Sequence, residues 1–202
     1  VPFPVESDKG TYPGGHVKEP QVGMHKHVVS FDLNSLYPSI IMQFNMSPET
    51  ILNEYSPELD VETVLSKPML KRPGSTAIAV GGQHFDTSKQ GVLPKIIEEM
   101  YNERVEVKKN QIKYQKELQK ADEKQTIFEL QRQISIAENR QMAIKILLNS
   151  LYGALGNRYF RFFDQRIAEA ITLSGQAIIR WGENAINDYL NNLLKTKKDY
   201  VI

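Results

Sequence analysis

Residues 93–118 read LPKIIEEMYNERVEVKKNQIKYQKEL, and their spacing decides the fold class. Pro94 stands where a helix tolerates a missing amide hydrogen, and no Gly or Pro follows until Gly153. Leu93, Ile97, Met100, Arg104, Val107, Gln111, Tyr114 and Leu118 recur at a 4,3 spacing, an apolar helical stripe interrupted by one Arg and one Gln. Residues 126–153, TIFELQRQISIAENRQMAIKILLNSLYG, repeat the stripe with Ile127, Leu130, Ile134, Ala137, Gln141, Ile144, Leu148 and Leu151. Thr126 and Glu129 have capping-box spacing, and Gly153 is the expected stop. Two helices joined by KADEKQ should pair antiparallel, each about 40 Å long at about 1.5 Å per residue. Lys109, Lys113, Lys116, Lys120 and Lys124 line another face, which reads as a solubilising surface.

Outside this hairpin the texture changes. Residues 27–33, HVVSFDL, form a β-branched and aromatic run of strand length that closes on Asp32 and Leu33. The continuation NSLYPSIIMQFNMSPET holds two Pro, with an apolar cluster between them that predicts a turn, a short helix and a second break. Residues 1–24 hold four of the ten Pro and read as an extended connector containing YPGG, Tyr12 to Gly15. Residues 47–91 carry no clear period. After the hairpin, GNRYFRFFD is turn-rich, aromatic and basic; helical spacing then links Ile178, Trp181, Ala185, Tyr189 and Leu193. The expected fold class is α+β. An antiparallel sheet would be built from residues 27–33, the 156–164 region and residues 199–202, beside the long antiparallel helical hairpin.

Composition bounds the function. The chain has 202 residues, 41% hydrophobic and 24% charged, which excludes disordered and collagen-like classes. No apolar run approaches the roughly 20 residues that span a bilayer, and VPFPVESDKG lacks a signal-peptide layout, so a cytoplasmic protein with no membrane partner is expected. The absence of Cys excludes thiol nucleophiles and Cys zinc sites. A net charge of +1 does not announce a polyanionic partner, so any nucleic-acid face must come from local patterning.

Several residues could carry chemistry. Asp32, at the end of an apolar strand and before a turn, is placed as a hard-cation ligand would be, although turn and cap residues share that position. Lys145, Asn149 and Tyr152 fall on one helical face as the helix approaches Gly153; a Lys charge and an amide there could hold phosphate, or simply face solvent. Arg104 and Lys108, one turn apart, share the ambiguity. Arg104, however, interrupts an apolar seam, where an unpaired cation is costly, so it should meet an anion. His25 and His27 lack a third ligand and read as exposed residues.

The combination is more specific than its parts. DLNSLYPSII (residues 32–41) and KILLNSLYGALGN (residues 145–157) resemble motifs A and B of family B DNA-directed DNA polymerases. YPGG, SPETI and QGVLPKIIEEMYNERVEVKK also resemble that family, closest to replicative polymerases of large tailed bacteriophages. Two long motifs in the right order around a helical hairpin make accident very improbable. The resemblance implies that Asp32 and the Leu33 carbonyl ligate a catalytic pair of Mg²⁺ ions, for which Mn²⁺ can substitute. It implies that Ser35, Leu36 and Tyr37 cradle the triphosphate of an incoming dNTP, with the Tyr37 ring barring a ribose 2′-hydroxyl. Arg104, Lys108, Lys145 and Asn149 would grip that triphosphate from the fingers, and Tyr152 and Gly153 would floor the base-pair pocket. Tyr12, Gly14 and Gly15 of YPGG would touch the template strand. Ser174-Gly175-Gln176 departs from the Gly-Arg of many members, which puts a DNA contact by Gln176 in doubt.

The implied domains are a connecting segment (1–24), a first part of the palm with motif A (25–91), a fingers hairpin with motif B (92–153) and a second palm part (154–202). A family B palm also needs a second carboxylate from a YGDTD-like motif, and KKDYVI stops just before it. The chain is therefore expected to be part of a larger or split polymerase, inactive alone. Its partners would be primer-template DNA, dNTP and a C-terminal palm and thumb part, in cis or as a second chain; a sliding clamp is a further candidate. The rival readings are a helical-hairpin interaction protein and an inactive DNA- or nucleotide-binding remnant.

Overall fold

The two stripes form a pair of long helices, α3 (Val92–Leu118) and α4 (Lys124–Leu155), in a computed structural model that describes residues 13–66 and 74–201. Every predicted stripe position on both helices is buried or half-buried, and Ile97, Ala137, Ile144 and Leu148 are the most enclosed. The helices run antiparallel, and Arg140 of α4 reaches Glu103 of α3 at 2.6 Å. The five lysines of the ladder are exposed.

Both predicted ends of α4 move outward. The helix begins before Thr126, with Glu123 as N-cap, and the Thr126 hydroxyl donates to the Glu123 carboxylate at 3.0 Å instead of capping. Lys124 and Gln125 are good helix formers, so the first turn extends back to include them. Gly153 does not stop the helix, which continues to Leu155. An interior Gly costs about 1 kcal/mol, whereas burying a Leu contributes about 1.5–3 kcal/mol, and Leu155 is fully buried.

The N-terminus of α3 is capped from a distance. Gly91, its N-cap, has no side chain to offer, and the first amides are met by the segment that follows α1 (Leu36–Gln43). Asn45 Oδ1 accepts from the Gly91 amide at 2.8 Å, Glu49 from Val92 at 2.5 Å and Ser47 Oγ from Leu93 at 3.3 Å. Three orphan donors thus tie the hairpin to the body of the protein. α1 is the short helix predicted between the two Pro, and it tolerates Pro38 because first-turn amides need no helical acceptor.

The sheet lies where the sequence seemed least informative. β1 (Ile51–Tyr55), β2 (Thr76–Ile78) and β3 (Gln83–Asp86) are antiparallel in the order β1-β3-β2, with Ala77 and Ile51 both opposite Phe85. A turn through Gly81 and Gly82, at φ 98° and 87°, joins β2 to β3. A Cβ on Gly82 would lie 2.1 Å from the Ser56 carbonyl oxygen, so only glycine fits. α2 (Val61–Ser66), which lies between β1 and β2 along the chain, packs against α5 (Gln165–Leu194). Phe85, fully buried, carries the sheet into a core shared with Ile40, Ile41 and Met46 near α1, Ile97, Ile144 and Leu148 of the hairpin, and Ile167 and Ile171 of α5.

None of the three predicted strands joins this sheet. Residues 27–33 have no ladder partner among the described residues, and Val28, Val29, Phe31 and Leu33 stand exposed; strand propensity without a partner leaves a segment merely extended. Residues 156–164 form turns, with Phe160 against the core and the Arg158 guanidinium 5.5 Å from the Tyr159 ring centre. Residues 198–201 lie along α5, where two side chains replace a neighbouring strand. Asn187 Oδ1 accepts from the Tyr200 amide at 2.7 Å, and Asn191 both accepts from the Lys198 amide and donates to its carbonyl at 2.8 Å. In α5 the predicted stripe is enclosed only at Ile178 and Ala185; Trp181, Tyr189 and Leu193 are exposed.

Candidate active site

Asp32 and Leu33 precede the turn that starts α1, and both are exposed. Asp32 makes no hydrogen bond or ion pair with any described residue, so its oxygens are free. Ser35 holds a left-handed conformation (φ 52°, ψ 47°), and its carbonyl accepts from the Ser39 amide at 2.9 Å, which launches α1 directly after the turn. Leu36 and Tyr37, in the first turn of α1, are half-buried and pack against the core.

Tyr37 meets Tyr152 of α4 with ring centres 4.5 Å apart and planes tilted by 47°. Burial, with Tyr152 adding to it, raises the Tyr37 phenol above its ordinary value. The Tyr152 hydroxyl lies 2.7 Å from Thr172 Oγ1 on α5. One turn further along α5, a Cβ on Gly175 would sit 2.9 Å from Tyr37 Cε1. The Gln176 amide donates to the Gly14 carbonyl, and a Cβ on Gly15 would lie 3.4 Å from the Tyr37 hydroxyl. The fold therefore gathers Gly14, Gly15, Tyr37 and Tyr152 from three separated stretches of chain, with α5 as their common support. Tyr12 lies outside the described residues.

The cationic candidates sit on the hairpin. Lys108 on α3 and Lys145 and Asn149 on α4 are exposed and have no partner among the described residues. Arg104 is half-buried, as its place in the seam requires, yet no carboxylate meets it and its Nε is buried without a hydrogen-bond partner. The anion expected for it does not come from the described residues. Gly153 is exposed, and a Cβ there would meet nothing within 4 Å, so protein packing does not demand glycine at this position.

Among the described residues no three His, Asp or Glu side chains gather as a metal site. The free Asp32 carboxylate and the Leu33 carbonyl are nonetheless hard oxygen donors of the kind Mg²⁺ takes. That ion is usually held by one or two carboxylates together with substrate phosphates and water. The donors present fit part of such a shell.

Thr172 escaped the sequence reading, and Gly175 entered it only within Ser174-Gly175-Gln176. Their signal is small side chains one turn apart on an otherwise apolar helix face, which marks close approach by another element. Gln176, doubted as a DNA contact, engages the YPGG segment.

Comparison with known proteins is decisive on the family. The family model for DNA polymerase family B matches residues 1–201, and the chain belongs to that family. It is 34% identical to the DNA-directed DNA polymerase of Escherichia phage RB69 over 92% of this chain and 25% of that protein. It is 32% identical to that of Enterobacteria phage T4 over 95% of this chain and 25% of that protein, and 32% identical to the DNA polymerase of Thermococcus gorgonarius over 84% and 18%. The chain thus spans about a quarter of the length of the phage relatives it matches. No helix among the described residues is long and apolar enough to cross a membrane.

Proposed function

We propose that this chain supplies the first part of the palm (25–91), the fingers (92–153) and a second palm part (154–202) of a template-directed DNA polymerase. Together these would transfer deoxynucleotides from dNTPs to a primer 3′-hydroxyl. The observation that carries this reading is the meeting of Tyr37, from the motif A helix, with Tyr152, at the end of the motif B helix. The pair stands beside the YPGG glycines; the stretch leading into α1 presents Asp32, and α4 presents Lys145 and Asn149.

The resemblance gives each residue a role with which its surroundings are compatible. Asp32 and the Leu33 carbonyl would hold part of a Mg²⁺ shell, with Mn²⁺ as substitute. The metal pair, when bound, supplies charge stabilisation at the attacking and leaving oxygens. Lys108, Lys145 and Asn149 offer donors to an incoming triphosphate, and Ser35 and Leu36 lie in the turn that would cradle it. Half-buried Arg104 supplies a fork of donors whose missing anion is the triphosphate itself. Tyr37, wedged between Tyr152 and Gly175, has little freedom to yield and would bar a 2′-hydroxyl. Tyr152 and Gly153 would floor the pocket for the nascent base pair, and the exposed Gly153 leaves room for a ligand to approach the backbone. Gly14 and Gly15, with Tyr12, would touch the template strand. Primer-template DNA, dNTP and a further palm and thumb part carrying the second carboxylate are the partners, with a sliding clamp beyond them, in the cytoplasm of a host cell.

The test is primer extension by a polymerase preparation containing this segment, comparing wild type with Asp32→Asn. Incorporation should fall by about 10³-fold or more, with melting temperature and primer-template affinity kept. Unchanged incorporation overturns the reading. Extension by the 202-residue chain alone with Mg²⁺ would overturn the need for a second carboxylate from outside it.

A further inference from the structure

We propose that the outer face of α3, from Lys109 to Lys120, is a docking surface for the backbone of single-stranded DNA, the unpaired template ahead of the base-pair pocket; this rests on the polymerase reading above. The observation is a segregation of charge along one helix. Residues 92–106 carry four Glu against Lys95 and Arg104, a net −2, whereas residues 107–120 carry five Lys against Glu117, a net +4. The whole chain has a net charge of only +1, so its excess of cations is gathered here. A merely solubilising face intersperses both signs. On α4 it does so: Arg132 meets Glu129 at 3.7 Å and Arg140 meets Glu103 at 2.6 Å. The helix dipole favours a cation in the last turn of α3, where Lys116 stands, and fades before Lys109 and Lys113.

Spacing makes the cations a row. Lys109, Lys113, Lys116 and Lys120 recur at 4,3,4, which keeps them on the side of the helix opposite the seam that α4 covers, and with Ile112 and Glu117 they line an open recess of about 340 Å³. The row is about 16 Å long at about 1.5 Å per residue. A strand with a phosphate every 3.4 Å or so lays four or five of them along it. Glu106 lies 3.3 Å from Lys109 and Glu117 4.0 Å from Lys113, exposed pairs that hold their lysines weakly, and Lys116 and Lys120 have no partner among the described residues. A protein partner is a poor match, because protein interfaces are depleted of Lys and built on an apolar core, and Ile112 is the one apolar side chain lining the recess. Ammonium groups on flexible stems attract phosphate without reading sequence, as a template of any sequence requires. The row also begins one residue beyond Lys108, assigned above to the triphosphate, and runs from there toward the tip of the hairpin. Product duplex leaves such a pocket on one side, and the strand still unpaired lies on the other.

The test removes the charge and keeps the helix. Lys109→Gln, Lys113→Gln, Lys116→Gln and Lys120→Gln are combined in one variant, since Gln is also a good helix former, and a second variant carries Arg at the same four positions. Fluorescence anisotropy of a labelled oligo-dT, titrated with the chain itself over a range of salt, needs no catalysis. The Gln variant should bind more weakly, with the slope of log affinity against log salt shallower by about 2–3, at about 0.7 per phosphate contact; the Arg variant should keep the wild-type slope. In the polymerase preparation containing this segment, the Gln variant should lose about tenfold or more in affinity for a primer-template with a long 5′ overhang. Affinity for one with a single-nucleotide overhang, and incorporation on it, should stay as in wild type. No binding of oligo-dT by the wild-type chain, an unchanged slope in the Gln variant, an equal loss in the Arg variant or an equal loss on both overhangs overturns the proposal. Polyglutamate that displaces oligo-dT as well as unlabelled oligo-dT does would make the partner an acidic protein and overturn it too. Failure of the polymerase reading shows separately, as incorporation insensitive to Asp32→Asn.

Discussion

The Tyr37 ring lies so close to the Gly175 backbone that a Cβ there would stand 2.9 Å from Cε1, inside the separation that real side chains keep. The relationship couples two helices whose sequences give no hint of each other. Gly175→Ala must displace a half-buried ring that is also held by Tyr152, and overpacking of this kind costs about 1–3 kcal/mol. We expect a lowered melting temperature and, in the polymerase, a changed preference for dNTP over the matching ribonucleotide. Competitive incorporation of the two nucleotides measures it; an unchanged preference with a shifted melting temperature would leave Tyr37 no part in sugar selection.

Asn45 joins three backbone groups in a buried position. Its amide donates to the carbonyls of Asp86 and Lys89 at 2.7 and 2.8 Å, and its oxygen accepts from Gly91 at 2.8 Å. Its φ of 55° suits Asn better than other residues with a Cβ. Asn45→Ala strands all three partners and strains the backbone, so we expect a loss of about 2–4 kcal/mol in denaturant unfolding. The amides at the start of α3 should exchange faster than those at the start of α4, because only α3 depends on this remote cap.

The contrast between hairpin and sheet shows what the sequence made legible. All sixteen stripe positions of α3 and α4 are enclosed because a helix buries one face against a single neighbour, and spacing alone identifies that face. Strands of three to five residues give no such period, and the sheet was overlooked in residues 47–91. Its one local signal is the Gly81-Gly82 pair, a hairpin-turn dipeptide between TAIAV and QHFD. Residues 27–33 misled in the opposite sense, since propensity reports what a segment prefers once paired and not whether a partner exists. At the site, Asp32, Tyr37 and Tyr152 were legible through two motifs with dense local patterns. The contacts of Thr172 and Gly175 were not, because positioning by contact between distant helices leaves only small residues on a buried face.

Asp199 ties residues 198–201 to α5 through Lys18, whose ammonium also meets Glu183 of α5. The Lys18 ammonium, at 2.5 Å, and the Asn187 amide, at 2.8 Å, hold the Asp199 carboxyl down to about 2. A carboxyl lowered on folding contributes stability that is fully present above its unfolded value of about 3.9 and is lost as pH falls through its folded value. This anchor should therefore hold down to about pH 4 and release between there and about pH 2. Carboxyl NMR of Asp199 should titrate near 2 in wild type and closer to 4 in Lys18→Met, with the Tyr200 amide losing exchange protection over the same interval. The same midpoint in both proteins would remove Lys18 as the cause.

Arg104 is the residue whose stability and function pull apart. Its Nε is buried and unpartnered within a hairpin seam, and an unmet buried donor costs about 1–3 kcal/mol. Met has similar length, no donor and a good helix propensity, so Arg104→Met should raise the unfolding free energy by about 1 kcal/mol. If the triphosphate is the absent anion, the same substitution raises KM for the incoming dNTP by about tenfold or more, and Arg104→Lys, which lacks the planar fork, recovers only part of it. Chemical denaturation and steady-state incorporation kinetics check the two halves independently. A variant that gains stability while losing nucleotide affinity identifies a charge kept in the seam for the ligand; a variant that loses stability shows that Arg104 serves packing through its aliphatic stem.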